Sequence, residues 1–403
     1  DGHPVSNAIV WQCRRTADIC QDLKNRGLEE TYRRHTGLVL DPYFSGTKLT
    51  WMLENLHGSA TRAKSGRLAF GTIDSFLVWR LTGGKSHVTD VSNASRTLMM
   101  DLEKLDWDDA LLKPLKVPRT LLPEIVPSSR VYGKTSGLDF LPDGIPIAGM
   151  AGDQQAALFG QACYLPGQSK CTYGTGAFIL ENIGDRPIPS KHGLLTTVAW
   201  QLDDKTSYAL EGSAFIAGAA VQWLRDGMGL IESSGGIEEL ARQVLGSDGV
   251  VFIPALTGLG APHWRSEARG LITVLTRGTT AAHLARATLE GIALQIHDLV
   301  MAMTDDRGIP GSILKVDGGA AENNLLMQMQ ADLINRPVSR PETIETTALG
   351  AAMLAGLAIG FWADTKELAK GWNEEKCFAP QAGDDWRETL LEQWREAIGR
   401  IRG

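Results

Sequence analysis

The chain is poor in the features that staple a protein or tie it to a membrane or a nucleic acid. Five cysteines (Cys13, Cys20, Cys163, Cys171, Cys377) are an odd number, and no two have C-x-x-C spacing. That excludes an obvious disulfide framework or zinc ribbon and makes a reducing cytoplasm the expected compartment. The eight histidines show no metal-ligand spacing, so no metal-binding residue is assigned. Positive charge is not in excess: 40 Lys and Arg stand against 47 Asp and Glu, net −7, which argues against a nucleic-acid or anionic-membrane surface. No apolar run approaches the roughly 20 residues a membrane span needs. The longest, at 348–362, is rich in Gly and Ala and reads as a buried helix packed closely against a neighbour. No signal-peptide pattern is visible. The chain opens on Asp1 and its first methionine is Met52, so a missing N-terminal segment is expected.

What is plentiful is glycine, 44 of 403 residues, and with it tight turns and close backbone approaches of the kind phosphate and small-molecule sites use. The length allows two or three domains. Strand-like and helix-like segments alternate throughout, which predicts an α/β architecture. A strand is expected at 8–11, followed by a helix at about 14–24 stopped by Gly27. Further helices are expected from Ser45 and at 72–81, the latter closed by Gly83 and Gly84. The stretch 118–144, rich in proline, reads as irregular connection, and 145–151 as a buried strand running into Gly152 and Asp153. Later come strands at 169–173 and 177–181, a helix at 214–225, a strand at 250–254, a helix at 282–300, a strand at 313–317 and a helix at about 321–333. A boundary is placed near Pro166-Gly167, giving expected domains 1–162 and 163–403.

The most informative stretch is 152–178. It places Asp153 and Gln154 where a strand meets a helix, and Gly174-Thr175-Gly176 as a tight turn between two strands. Ligands of open α/β sheets gather at the carboxyl ends of strands, which favours a functional reading of Asp153 over a plain helix cap. A Gly-Thr-Gly turn can aim backbone N–H groups and a hydroxyl at an anion, although taken alone it reads first as a plain hairpin turn. It is not a Walker A loop, since no Gly-Lys-Ser/Thr follows. Gly318-Gly319 before a helix with Asn323 and Asn324 is another phosphate-friendly junction. Gly218 and Gln222 share a helix face where a flat ring could lie. Trp11 and Tyr43, near loop mouths, could stack on the carbons of a polyol.

Together these segments resemble the FGGY carbohydrate kinase family, which has the actin/hexokinase-like (ribonuclease H-like) ATPase fold: α/β, two domains around a cleft. The resemblance is carried by Trp11-Gln12-Cys13-Arg14-Arg15, Asp41-Pro42-Tyr43-Phe44-Ser45-Gly46-Thr47-Lys48, Gly152-Asp153-Gln154-Gln155 and Thr172-Tyr173-Gly174-Thr175-Gly176. It continues through Ala209-Leu210-Glu211-Gly212, Thr257-Gly258-Leu259-Gly260-Ala261-Pro262, Val316-Asp317-Gly318-Gly319-Ala320 and Thr347-Ala348-Leu349-Gly350-Ala351-Ala352. The Gly-Asp-Gln-Gln and Trp-Gln-Cys-Arg-Arg blocks are most similar to family members that act on glycerol. The resemblance implies transfer of the γ-phosphoryl group of Mg2+-bound ATP to glycerol, with Asp153 as general base. It implies Trp11, Tyr43, Asp153, Gln154 and Phe178 as substrate-binding, and Gly174, Thr175, Gly218, Gln222, Gly319 and Asn323 as nucleotide-binding. It also implies a homodimer or homotetramer, and closure of two domains over the substrates.

The departures from the pattern are specific. The family's Asp-x-Gly-Thr-Thr-Ser hairpin and its glycerol-gripping Arg-Glu pair are not in this sequence and are expected upstream of Asp1; little turnover is expected from residues 1–403 alone. The loop 137–144 lacks the Gly-Gly-Thr-Arg of relatives inhibited by fructose bisphosphate, so weak or no such inhibition is expected. His263 and Arg265 stand where relatives commonly carry Tyr and Asp.

Overall fold

A computed structural model describes residues 2–265 and 267–401. Its centre is a nine-stranded mixed sheet built from Ser129–Lys134 (β1), Pro146–Gly149 (β2), Ser169–Tyr173 (β3), Ala177–Gly184 (β4), Leu195–Leu202 (β5), Lys205–Ala214 (β6), Leu314–Asp317 (β7), Val338–Pro341 (β8) and Glu374–Phe378 (β9). The order across the sheet is β9-β8-β7-β3-β4-β6-β5-β1-β2. β3 and β4 form the expected hairpin, with Tyr173 opposite Ala177 and the Gly-Thr-Gly turn between them. β7 lies parallel to β3, Asp317 opposite Thr172, so the carboxyl ends of two interior strands lie side by side.

Helices pack on this sheet and around a second apolar cluster. Those that position the site are Ser45–Asn55 (α1), Asp153–Gly160 (α2), Gly218–Asp226 (α3), Ala281–Arg307 (α4), Asn324–Ile334 (α5), Thr346–Ala358 (α6) and Asp384–Arg400 (α7). The largest cluster buries α4 and α5 against β3, β4 and β7, through Ile179, Leu289, Ile292, Val316 and Leu326. The second gathers Tyr32, Phe44, Leu98, Met99 and Trp107 from the first 130 residues, with Leu195 and Val198 of β5. α2 and α6 cross with glycine on each side. A Cβ on Gly350 would lie 1.9 Å from Ala156 O, and one on Gly160 2.1 Å from Thr346 O. The Gly- and Ala-rich run around 348 is thus the closely packed helix its composition suggested. Among the described residues no helix is long and apolar enough to cross a membrane.

Three expected elements differ. Residues 8–11 form no strand: Val10 is 59% exposed and the segment ends in a turn closed by Cys13 N–H on Val10 O at 3.1 Å. An apolar stretch without a strand to pair with cannot hold extended ladder geometry. The 118–144 connection contains Glu124–Val126, which pairs in parallel with Val88–Asp90, and then β1. Pro123 and Pro127 flank the first of these strands rather than interrupt it, the position where proline costs no ladder bond. The helix expected from 214 begins at Gly218, because 205–214 is strand β6. β6 lies inside the sheet and is almost wholly buried from Tyr208 on, so its apolar run has no two-residue alternation to mark it as strand.

Candidate active site

Asp153 is the first residue of α2, directly after β2, and its side chain reaches solvent. It is not the helix cap. Gly152 holds that position, and Gly152 N–H donates to Ser92 Oγ at 2.9 Å. The carboxylate instead accepts from Gln154, backbone N–H to Oδ1 at 2.9 Å and Nε2 to Oδ2 at 3.1 Å. Behind them Lys170 of β3, 0% exposed, donates to Gln154 Oε1 at 2.6 Å and to Thr172 Oγ1 at 2.9 Å. Burial lowers the lysine's pKa, while the charges of Asp317, Asp153 and Glu211 work to raise it.

An aromatic corner faces this group. Trp11 meets Tyr43 edge-on with centroids 5.4 Å apart, and Phe178, just past the hairpin turn, at 6.2 Å. The loop carrying Tyr43 is tied down from both ends. Arg14 makes a two-pronged bond to Asp41 at 2.7 and 3.1 Å, and Lys48 donates to Pro42 O and, at 3.2 Å, to Tyr43 O. Arg96 lies over the rings of Tyr43 and Phe44, 5.8 and 5.4 Å from their centroids, and bonds Glu211 of β6 at 2.6 Å. Burial, together with the charges of Glu211 and Asp153, pushes the Tyr43 hydroxyl up to about 12, against the opposing pull of Arg96. Tyr43 therefore keeps its proton at neutral pH and can donate a hydrogen bond. The corner presents ring edges and one hydroxyl, which suits a short polyol, next to a carboxylate that can accept a proton.

Across the hairpin turn lies an open, glycine-lined edge. Gly174 and Thr175 are exposed, and their carbonyls receive the first N–H groups of α3: Gly218 N–H on Gly174 O at 2.9 Å and Ala219 N–H on Thr175 O at 3.0 Å. Gly174 N–H is itself bound to Gly176 O at 2.9 Å, so this N–H is not offered to an anion as the sequence suggested. What the turn presents is the exposed residue Thr175. Gly218 is required by contact, since a Cβ there would lie 2.6 Å from Gly174 O. Gln222 is exposed one turn further along α3. Gly318, at φ 83°, brings the end of β7 against Tyr173 O, where a Cβ would come within 2.6 Å. Gly319 follows with nothing within 4 Å of a Cβ, and Asn323 caps α5 by accepting from Leu326 N–H at 2.9 Å. The structure thus gathers Trp11, Tyr43, Phe178, Asp153 and Gln154 on one side of the turn, and Gly174, Thr175, Gly218 and Gln222 at it. Gly319 and Asn323 lie on the adjoining loop.

Sequence reasoning missed Arg96 and Lys170 as members of the site, and quoted Thr172 and Glu211 only as matching residues. Their signal was faint: a lysine and a glutamate inside strands that the fold buries, where charge demands a partner.

Comparison with known proteins gives a consistent picture. Residues 1–160 match the model of the N-terminal domain of the FGGY family of carbohydrate kinases, and residues 169–359 that of its C-terminal domain. The chain is 59% identical to a glycerol kinase of Myxococcus xanthus, over 99% of this chain and 81% of the relative. It is 58% identical to one of Desulforamulus reducens, over 99% and 80%. Its fold matches the crystal structure of Plasmodium falciparum glycerol kinase with ADP at TM-score 0.92 and 36% identity, covering 99% of this chain and 80% of that one. A gluconate kinase from Lactobacillus acidophilus matches at TM-score 0.86 and 25% identity, over 98% and 79%.

Proposed function

The chain belongs to the FGGY family of carbohydrate kinases, and from this we infer that it phosphorylates glycerol with ATP, giving glycerol 3-phosphate, with Asp153 as general base. The observation that carries the residue assignment is a chain of contacts: Gln154 bonds Asp153 and, through Lys170, is tied to Thr172, which lies opposite Phe178 in the hairpin, and Phe178 meets Trp11. Asp153 takes the proton of a terminal hydroxyl, and the oxygen so formed attacks the γ-phosphorus in line. Gln154 and Tyr43 bind hydroxyls, and Trp11 and Phe178 border the carbon chain. Thr175 faces the phosphates, while Gly174, Gly218, Gln222, Gly319 and Asn323 line the nucleotide. Closure of the two parts excludes water and limits hydrolysis.

Magnesium accompanies the nucleotide and supplies charge neutralisation at the transferring phosphoryl group. The other acids near the site are engaged, Glu211 by Arg96 and Asp317 by Gln161 and Thr346 at 2.7 and 2.6 Å. Phosphate oxygens and water would therefore supply most of its ligands, and no side chain is assigned. The division at residue 162/163 is kept as the domain boundary, supported by family matches that end at 160 and resume at 169. A cytoplasmic homodimer or homotetramer completes the reading, and light scattering on the purified protein measures the assembly.

Another polyol or sugar is the alternative within the family. Glycerol is favoured because the similar relatives at 54–59% identity are glycerol kinases, whereas the gluconate and xylulose kinases share the fold at 25% or less. ADP release measured with glycerol, erythritol and xylulose separates the two. A clear preference for the pentulose would reject the glycerol reading.

A further inference from the structure

Lys170 is fully buried, and its ammonium donates to Gln154 Oε1 at 2.6 Å and Thr172 Oγ1 at 2.9 Å. A buried cation is costly unless its donors are satisfied, so its presence in β3 calls for a reason beyond packing. The chemistry of its partner supplies one. A glutamine amide has an accepting end and a donating end of nearly the same shape, and it can face either way. A lysine ammonium has no acceptor, so only the oxygen of Gln154 can face it. That leaves Nε2 facing Asp153 Oδ2, where it lies at 3.1 Å. Gln154 N–H holds the other carboxylate oxygen at 2.9 Å. The carboxylate is gripped at both oxygens by one residue, and that residue's amide is oriented from behind by one lysine.

We propose that Lys170 is a positioning residue for phosphoryl transfer, which acts through the amide of Gln154 to fix the Asp153 carboxylate against the substrate hydroxyl. The proposal rests on the reading of Asp153 as the base. Lys170 itself touches no substrate.

The test is a double-mutant cycle in the full-length protein, scored by kcat, glycerol KM, ADP affinity and Tm. Lys170→Met is expected to lower kcat on the order of 10²-fold, the cost of a misplaced reacting group, with ADP affinity retained. Because the lysine acts through Gln154, Lys170→Met in a Gln154→Leu background should cost almost nothing further. A purely structural lysine would instead lower Tm and ADP affinity along with kcat, and its effect would persist in that background. Wild-type turnover in Lys170→Met, or losses that multiply in the double variant, overturns the proposal. Where Lys170→Met does not fold, Lys170→Gln is scored by the same criteria, and failure of both to fold assigns the lysine to stability and also overturns it. Asp153→Asn is assayed alongside. If that variant turns over normally, the base assignment fails; if it is inactive while Lys170→Met is normal, only the role of Lys170 fails.

Discussion

Arg96 Nη2 and Glu211 Oε1 meet at 2.6 Å, joining the segment matched by the N-terminal family domain to a strand of the C-terminal one. The remaining Arg96 Nη1 and Glu211 Oε2 are buried without a partner. The pair is a cross-link that leaves one terminal nitrogen and one carboxylate oxygen unspent, beside the Tyr43 ring.

Breaking that pair should therefore be more damaging than replacing it. Arg96→Ala or Glu211→Ala leaves one uncompensated buried charge and is expected to cost about 3–5 kcal/mol of stability. The double replacement Arg96→Met with Glu211→Leu should cost clearly less than the sum. Denaturant unfolding of the three variants checks this, and additive losses would show that the two residues do not act as a pair.

Asp153→Asn keeps shape and removes the basic oxygen. Turnover should fall by on the order of 10²–10⁴-fold, the usual contribution of a positioned base. ADP affinity, measured calorimetrically, should be unchanged, because the carboxylate bonds Gln154 and not the residues proposed to line the nucleotide. Near-normal turnover would take the base role from Asp153.

Gly350→Ala places a methyl group where Ala156 O stands, 1.9 Å from an ideal Cβ. Both neighbours are helix backbone and neither can turn away. A loss of at least about 1–3 kcal/mol is expected, as for overpacked cores, read as a lower Tm. An unchanged Tm would mean that the two helices separate easily.

Acid stability should depend on Asp298 of α4. Burial opposes its ionisation, but His263 and His297 at 3.6 and 3.5 Å and the Trp394 indole N–H at 2.8 Å outweigh this and bring its pKa down to about 2. A depressed carboxylate stabilises the fold above its unfolded pKa of about 3.9, and that stability is lost as pH falls from there through about 2; the difference amounts to about 2–3 kcal/mol. Asp298→Asn should flatten the unfolding free energy between pH 4 and 2, and an unaltered profile would contradict the assignment.

How much of this was visible in the sequence depends on how local each feature is. The hairpin around Gly174-Thr175-Gly176 and the junction at Asp153 were legible because turn chemistry and helix starts are written in neighbouring residues. The grouping of Lys170, Glu211 and Arg96 was not. It depends on which strands lie beside one another, and β3 and β6 are separated by β4 in the sheet. Strand β6 was not read as a strand because burial on both faces left no alternation, and the helix was started at its last residue, Ala214. Residues 8–11 were read as strand because apolar character without a partner looks the same in sequence as with one. The orientation of the Gln154 amide could not be read at all until Lys170 was seen behind it.

The crossing of α2 and α6 has a mechanical consequence. Where Gly160 and Gly350 let two backbones touch, no side chain lies between to act as a bearing. The helix that begins with Asp153 cannot slide along its neighbour without carbonyls colliding. In the closure proposed above, Asp153 therefore travels with residues 346–358 as one piece.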